Sequence, residues 1–134
     1  MSRENVEIMR DAYAAWNRGD MEAVLERFAP DVILAALPNW PEADDVAGRE
    51  AVARLFKDMR DGFERDWIEV RELMDLGDDR VLAVVRWCGT PLGGGEGALS
   101  VDAAIVYKLR QGRVTHAAHH AGRKQAIEAA GLEE

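Results

Sequence analysis

A single cysteine, Cys88, is the whole thiol inventory of this chain, which excludes an intramolecular disulfide and any cysteine-rich zinc site. Positive charge is also scarce: 17 Lys and Arg stand against 25 Asp and Glu, a formal net charge of −8. Phosphate-backbone binding needs concentrated Lys and Arg, and no basic cluster stands out, so nucleic acid is not an expected partner. The acidic excess serves solubility. No segment approaches the roughly 18 apolar residues of a membrane helix, and Met1-Ser2-Arg3-Glu4-Asn5 lacks the apolar stretch of a signal peptide. A soluble cytoplasmic protein without a membrane partner is expected. Linkers, repeats and low-complexity runs are missing too, so residues 1–134, 48% hydrophobic, are read as a single domain around one core.

Motifs for bound cofactors are equally sparse. Gly93-Gly94-Gly95 has neither the following helix nor the Lys-Ser/Thr pair of a phosphate-cradling loop, and no cofactor is expected. There is no Gly-x-Ser-x-Gly elbow, and Ser100 near Asp102 is too weak a signal for a hydrolase triad. Cys88 has neither a neighbouring histidine nor a helix N-terminus to activate it.

What is present begins with two helical patterns joined at a sharp stop, Asn17-Arg18-Gly19-Asp20. Val6, Met9, Tyr13 and Trp16, with Ile8, Ala12 and Ala15 alongside, recur at the spacing of a helix buried on one side. Gly19 can take the left-handed conformation that ends such a helix, and Asp20 can cap the next, Met21 to Phe28. Pro30-Asp31 then introduces a buried strand at 32–37, and the prolines at 38 and 41 make 38–45 a loop. A third helix opens at Gly48-Arg49-Glu50, with Val52, Leu55, Phe56, Met59 and Phe63 on one face. Strands follow at Trp67 to Leu76 and Arg80 to Thr90, then a hairpin of Leu99 to Arg110 and Arg113 to Ala121 around Gln111-Gly112. A short helix, Lys124 to Ala130, stops at Gly131. Helices first and long paired strands afterwards predict an α+β fold: a curved, mostly antiparallel sheet wrapped around three helices, a cone with an internal pocket.

With these landmarks in place, the chain resembles the SnoaL-like polyketide cyclase family of the nuclear-transport-factor-2-like, cystatin-like superfamily. The resemblance rests on Ala14-Ala15-Trp16-Asn17-Arg18-Gly19-Asp20, Phe28-Ala29-Pro30-Asp31 and Gly48-Arg49-Glu50-Ala51-Val52, followed by Lys108 to Val114 and Glu128-Ala129-Ala130-Gly131-Leu132. It implies the fold more than an activity, because this fold hosts isomerases, cyclases, hydrolases, dehydratases and non-catalytic binding proteins. The superfamily's steroid isomerases use a first-helix tyrosine and a first-strand aspartate base; alignment puts Ala12 and Ala36 at these positions, with Tyr13 adjacent to the first. One residue on a helix rotates a side chain by about 100°. Steroid isomerisation by that mechanism is therefore not expected.

A two-residue turn at Gln111-Gly112 pairs Arg110 with Arg113 and Leu109 with Val114. Continued without a bulge, this register sets Ala104 opposite His119 and Asp102 opposite Ala121, all on one face, with Asp102 and His119 as diagonal neighbours. Among the small residues Ala104, Ala117 and Ala121, the pair is the candidate catalytic site, His119 as acid or base and Asp102 as its orienter. The resemblance implies a proton-sharing aspartate on the same strand and face, aligned to Ala104. A structural hydrogen bond or a solvent-facing pair is the competing reading, and one slip at the turn would exchange the faces and separate the two.

His116 and His120 share a strand face opposite to that of His119, so the three cannot converge on a metal from a regular strand, and no metal site is expected. With Ala103, Ile105 and Tyr107 they would form an apolar outer face suited to homodimerisation. The candidate substrate-binding residues are Tyr13, Trp16, Trp40, Phe56, Met59, Phe63 and Trp87; Trp40, flanked by prolines, would cap the pocket mouth, and the others also read as core. Arg86 and Trp87 alternate, so only one of them can face the cavity. Two functions follow. One is a cofactor-independent isomerase or cyclase acting on a small apolar carbonyl or polyketide-like compound. The other is a non-catalytic ligand-binding or dimeric interaction domain of the same fold.

Overall fold

The computed structural model describes residues 2–35, 44–93 and 99–132. Helices α1 (Ser2–Asn17) and α2 (Met21–Glu26) meet at Gly19, whose φ of 79° is the left-handed conformation that a side chain would strain. The Asp20 carboxylate caps α2 by accepting from the Ala23 amide at 3.1 Å. The second helix is shorter than expected. Phe28 already belongs to strand β1 (Phe28–Leu34), and Pro30 sits where β1 shifts register, a place in a strand that needs no amide donor.

A two-residue strand, β2 (Val46–Ala47), precedes α3 (Arg49–Asp61), and the long strands β3 (Phe63–Gly77), β4 (Arg80–Pro91), β5 (Leu99–Arg110) and β6 (Arg113–His120) lead to α4 (Arg123–Ala129). Gly62 caps α3, so Phe63 starts β3 and does not lie on the helix face where the apolar spacing puts it. The six strands form one curved, open sheet in the order β2-β1-β6-β5-β4-β3, antiparallel except for the β1–β6 pair. This is the expected α+β architecture. The β3–β4 register shifts between Phe63 and Arg65 and between Val70 and Glu72, irregularities of the kind that bend and twist a strand.

Alternation along the strands builds two apolar clusters. On the concave side Val81, Ala83 and Val85 of β4 join Ile105, Tyr107 and Leu109 of β5, under Met9, Tyr13 and Trp16 of α1 and Val52 of α3. On the convex side Leu76, Leu82 and Ala104 pack beneath Ala126 and Ile127 of α4. Each fully buried Leu, Val or Met side chain contributes about 1.5–3 kcal/mol. Arg80 Nη1 ties α4 to the sheet by donating to the Ala130 carbonyl at 2.8 Å, and Arg123 pairs with Glu72 at 2.8 Å. None of the helices among the described residues is long and apolar enough to cross a membrane.

Candidate functional site

The β5–β6 hairpin sets which side chains face the helices. Gln111 and Gly112 have φ of 52° and 78°, the double positive φ of the tight turn, and Arg110 opposes Arg113 as expected. The register then shifts by one residue: Leu109 opposes Val114, but Lys108 opposes His116, leaving Thr115 as an extra residue whose hydroxyl donates to the Lys108 carbonyl at 3.2 Å. Beyond this bulge Ile105 opposes His119 and Ala104 opposes His120. The bulge lets the hairpin bury Val114, Ala117 and Leu109 together on the concave side.

The expected Asp102–His119 contact is therefore not made. His119 faces the helices, whereas Asp102 lies on the convex face, opposite Arg86, with Arg86 Nε 2.8 Å from Asp102 Oδ1. That ion pair holds the Asp102 carboxyl below the usual carboxylate range. It also decides between Arg86 and Trp87, of which Trp87 faces inward. The expected outer apolar face needs the same correction. Ala103, Ile105 and Tyr107 line the interior, because the larger apolar residues of β5 are its odd-numbered ones; His116 and His120 do lie outside, beside Val106 and Ala118.

Between α1, α3 and the concave strands lies a half-enclosed cavity of about 130 Å³. Tyr13, Trp16, Phe56, Met59, Trp87 and His119 all line it. Phe63 does not. It packs edge-on against Trp87 at 4.6 Å and covers Gly89, where a Cβ would come within 2.6 Å of the ring. Trp40 and Ala36 lie outside the described residues. Ala12 and Tyr13 both reach the cavity, since the inward stripe of α1 is broad enough to include neighbouring positions.

Besides the indole N–H groups of Trp16 and Trp87, three neutral polar side chains interrupt this apolar lining. The Tyr13 and Tyr107 hydroxyls are hydrogen-bonded at 2.5 Å, both buried. Burial, and then the neighbouring Tyr107, raises the Tyr13 pKa well above its ordinary value, and burial pushes Tyr107 up to about 12. Both stay protonated at neutral pH. One hydroxyl donates to the other, so one O–H of the pair has no protein acceptor among the described residues. The third group is His119, whose Nδ1 is buried without a hydrogen-bond partner. Burial, then the neighbouring His120, lowers its pKa, so the ring is neutral at pH 7.

A carboxylate that the sequence reading overlooked fixes the cavity wall. The Asp66 side chain, 4% exposed, accepts from Trp16 Nε1 at 2.7 Å and Trp87 Nε1 at 3.2 Å, both on Oδ2, and pairs with Arg60 at 3.2 Å. Arg60 also stacks over the Trp16 ring at 5.2 Å. Two indoles of the lining are thereby tethered to one oxygen atom. The available signal was alternation, since Asp66 shares a strand face with the cavity residue Ile68. Among the described residues no group of three or more His, Cys, Asp or Glu is placed to hold a metal ion.

Comparison with known proteins accords with this architecture. The SnoaL-like domain matches residues 9–117. The chain belongs to the SnoaL-like domain family. Among solved structures it is similar to Bal32a from a soil-derived mobile gene cassette, at 27% identity and a TM-score of 0.77, over 89% of each chain. It is also similar to TerC, co-crystallised with polyporic acid, at 20% identity and TM-score 0.72, over 94% of this chain and 96% of that one. A cystatin-fold protein from Novosphingobium aromaticivorans matches at 19% identity and TM-score 0.72, over 90% of this chain and 98% of that one. Comparison with curated proteins finds no match.

Proposed function

We propose that this SnoaL-like protein moves a proton at the carbon next to the carbonyl of a small apolar compound. The observation that carries this reading is the set of neutral polar groups in the cavity whose hydrogen-bonding capacity is incompletely used: the His119 imidazole with an unpartnered Nδ1, and the Tyr13–Tyr107 pair with an O–H to give. His119 takes a proton from the carbon, breaking a C–H bond and forming N–H. The negative charge moves onto the carbonyl oxygen, where the tyrosine pair donates to it. In a β,γ-unsaturated substrate, return of the proton from His119 to the far carbon of the dienolate gives an isomer; where the enolate instead attacks a second carbonyl of the same molecule, a C–C bond closes the ring and the resulting alkoxide takes the proton back from His119. Atoms and electrons balance within the substrate and these side chains.

Physical chemistry supports each role. A base must be unprotonated at working pH, and burial keeps His119 so. A developing oxyanion is best held by donors already oriented in a water-poor site, and the tyrosine hydroxyls are oriented by each other. The co-crystal of TerC with polyporic acid is a precedent for a small organic guest in this fold.

Deuterium uptake from D₂O into 3-cyclohexenone, followed by proton NMR, tests the reading. The protein is expected to accelerate exchange over buffer, and His119→Ala to return it to background with near-ultraviolet circular dichroism unchanged. Exchange at the wild-type rate in His119→Ala, or no acceleration by the wild type, would overturn the assignment.

A further inference from the structure

We infer that the cavity selects a neutral carbonyl compound with a single six-membered ring and discriminates against its carboxylate counterpart. This inference deepens the proton-transfer reading and takes the same site as its starting point. Size is the first argument. The cavity holds about 130 Å³, close to an engineered protein cavity of about 150 Å³ that binds benzene. One ring therefore fills it, and a second ring would remain outside.

Charge is the second argument. Among the described residues no lining side chain carries a charge: the polar members are Tyr13, Tyr107, Trp16, Trp87 and a neutral His119. Behind two of the lining indoles, among the described residues, lies the buried Asp66 carboxylate, of the same sign as a ligand carboxylate. Its Arg60 partner is already engaged, pairing with Asp66 at 3.2 Å, donating to the Trp16 carbonyl and contacting Met21 Sδ. An anionic ligand would lose its hydration without gaining a cation. A ketone oxygen needs only a donor, and the tyrosine pair has one O–H to give. The burial that pushes Tyr107 up to about 12 acts on any anion placed beside it.

Titration of the full-length protein at pH 7, followed by ¹H–¹⁵N correlation NMR, tests this with acetophenone, benzoate and 2-acetylnaphthalene. Acetophenone and benzoate share one shape and differ in charge; the naphthalene adds a ring. Acetophenone should shift the amides of Tyr13, Ile105, Tyr107 and His119. Benzoate should bind at least tenfold more weakly. The second ring should improve affinity less than fivefold, whereas a fully buried ring would improve it by about a hundredfold. Benzoate binding within tenfold of acetophenone, a gain of fivefold or more for the naphthalene, or shifts confined to other residues would overturn the inference. The titration reads binding alone. Selective binding without deuterium exchange would refute the catalytic reading and leave the ligand class standing, whereas exchange without selectivity would do the reverse.

Discussion

On the convex side of the β4–β5 ribbon, Arg86 and Asp102 sit opposite one another and satisfy each other at 2.8 Å in contact with water. One residue further along each strand, on the concave side, Trp87 and Ala103 border a cavity whose hydroxyls and imidazole have no charged partner among the described residues. The same sheet thus keeps charge where solvent screens it and keeps neutral, incompletely partnered groups where solvent is scarce. A polar group left with bonding capacity in a water-poor hollow is costly to the fold, and a ligand can use that capacity. Asp66 is the instructive exception. It brings charge to the concave side and is matched there by two indole N–H groups and a guanidinium.

The largest expected effect follows from removing the imidazole. His119→Ala should lower exchange by about a thousandfold, within the usual contribution of a positioned acid or base. The pH profile sharpens the same point. Because burial lowers the folded-state pKa of His119 below 6.5, the acid limb of kcat/KM should fall below pH 6.5. The unfolded chain takes up that proton first. The stability linked to neutral His119 is therefore complete above pH 6.5 and is lost as pH falls through the folded-state value. In His119→Ala this part of the urea-midpoint pH dependence should vanish.

Next in size is Asp66→Ala, which leaves Arg60 and two indole N–H groups without their acceptor. Removing one member of a buried ion pair costs about 3 kcal/mol. Urea denaturation should show that loss, with a shift in tryptophan emission as both rings are released. Asp66→Asn retains one acceptor oxygen and should lose less. Should Asp66→Ala prove no more damaging than a convex-side substitution, the contrast between the faces would fail.

A smaller effect is expected from Tyr107→Phe. Losing a lone oxyanion donor costs about a hundredfold or more in kcat. Here the Tyr13 hydroxyl remains, no longer oriented by its partner, so a loss of about tenfold in exchange rate is expected, smaller than that for a lone donor. Tyr13→Phe should behave alike, and the double variant should lose more than either.

These contrasts also separate what local sequence conveys from what packing decides. The α1–α2 corner was legible because Gly19 and Asp20 act within a few residues of themselves, through a left-handed φ and a side-chain cap. The hairpin turn was legible for the same reason, at Gln111 and Gly112. The bulge at Thr115 was not. Nothing in Val114-Thr115-His116 demands an extra residue; it follows from burying Val114 and Ala117 on one side, and it carries His119 inward while Asp102 stays outside. Alternation on β5 held a usable clue, since Ile105, Tyr107 and Leu109 form the bulkier row and Asp102, Lys108 and Arg110 the other. Asp66 went unseen because its partners lie 50 and 21 residues away, and because β3 begins at Phe63, ahead of the expected start at Trp67.

The smallest expected effect tests the convex side itself. Asp102→Ala should leave exchange, acetophenone binding and the urea midpoint at wild-type values. Its carboxylate is 72% exposed, and an ion pair that water can screen loses little when one partner goes. The measurement is decisive because Asp102 and His119 were expected to touch. If Asp102→Ala lowered kcat while leaving KM unchanged, the aspartate would be acting on the imidazole, and the hairpin would have to run without its bulge in solution. That register would also set His119 opposite Ala104 on the convex face, so the amide of His119 would no longer respond to acetophenone. One substitution and one titration therefore read the same structural fact, the extra residue at Thr115, from opposite faces of the sheet.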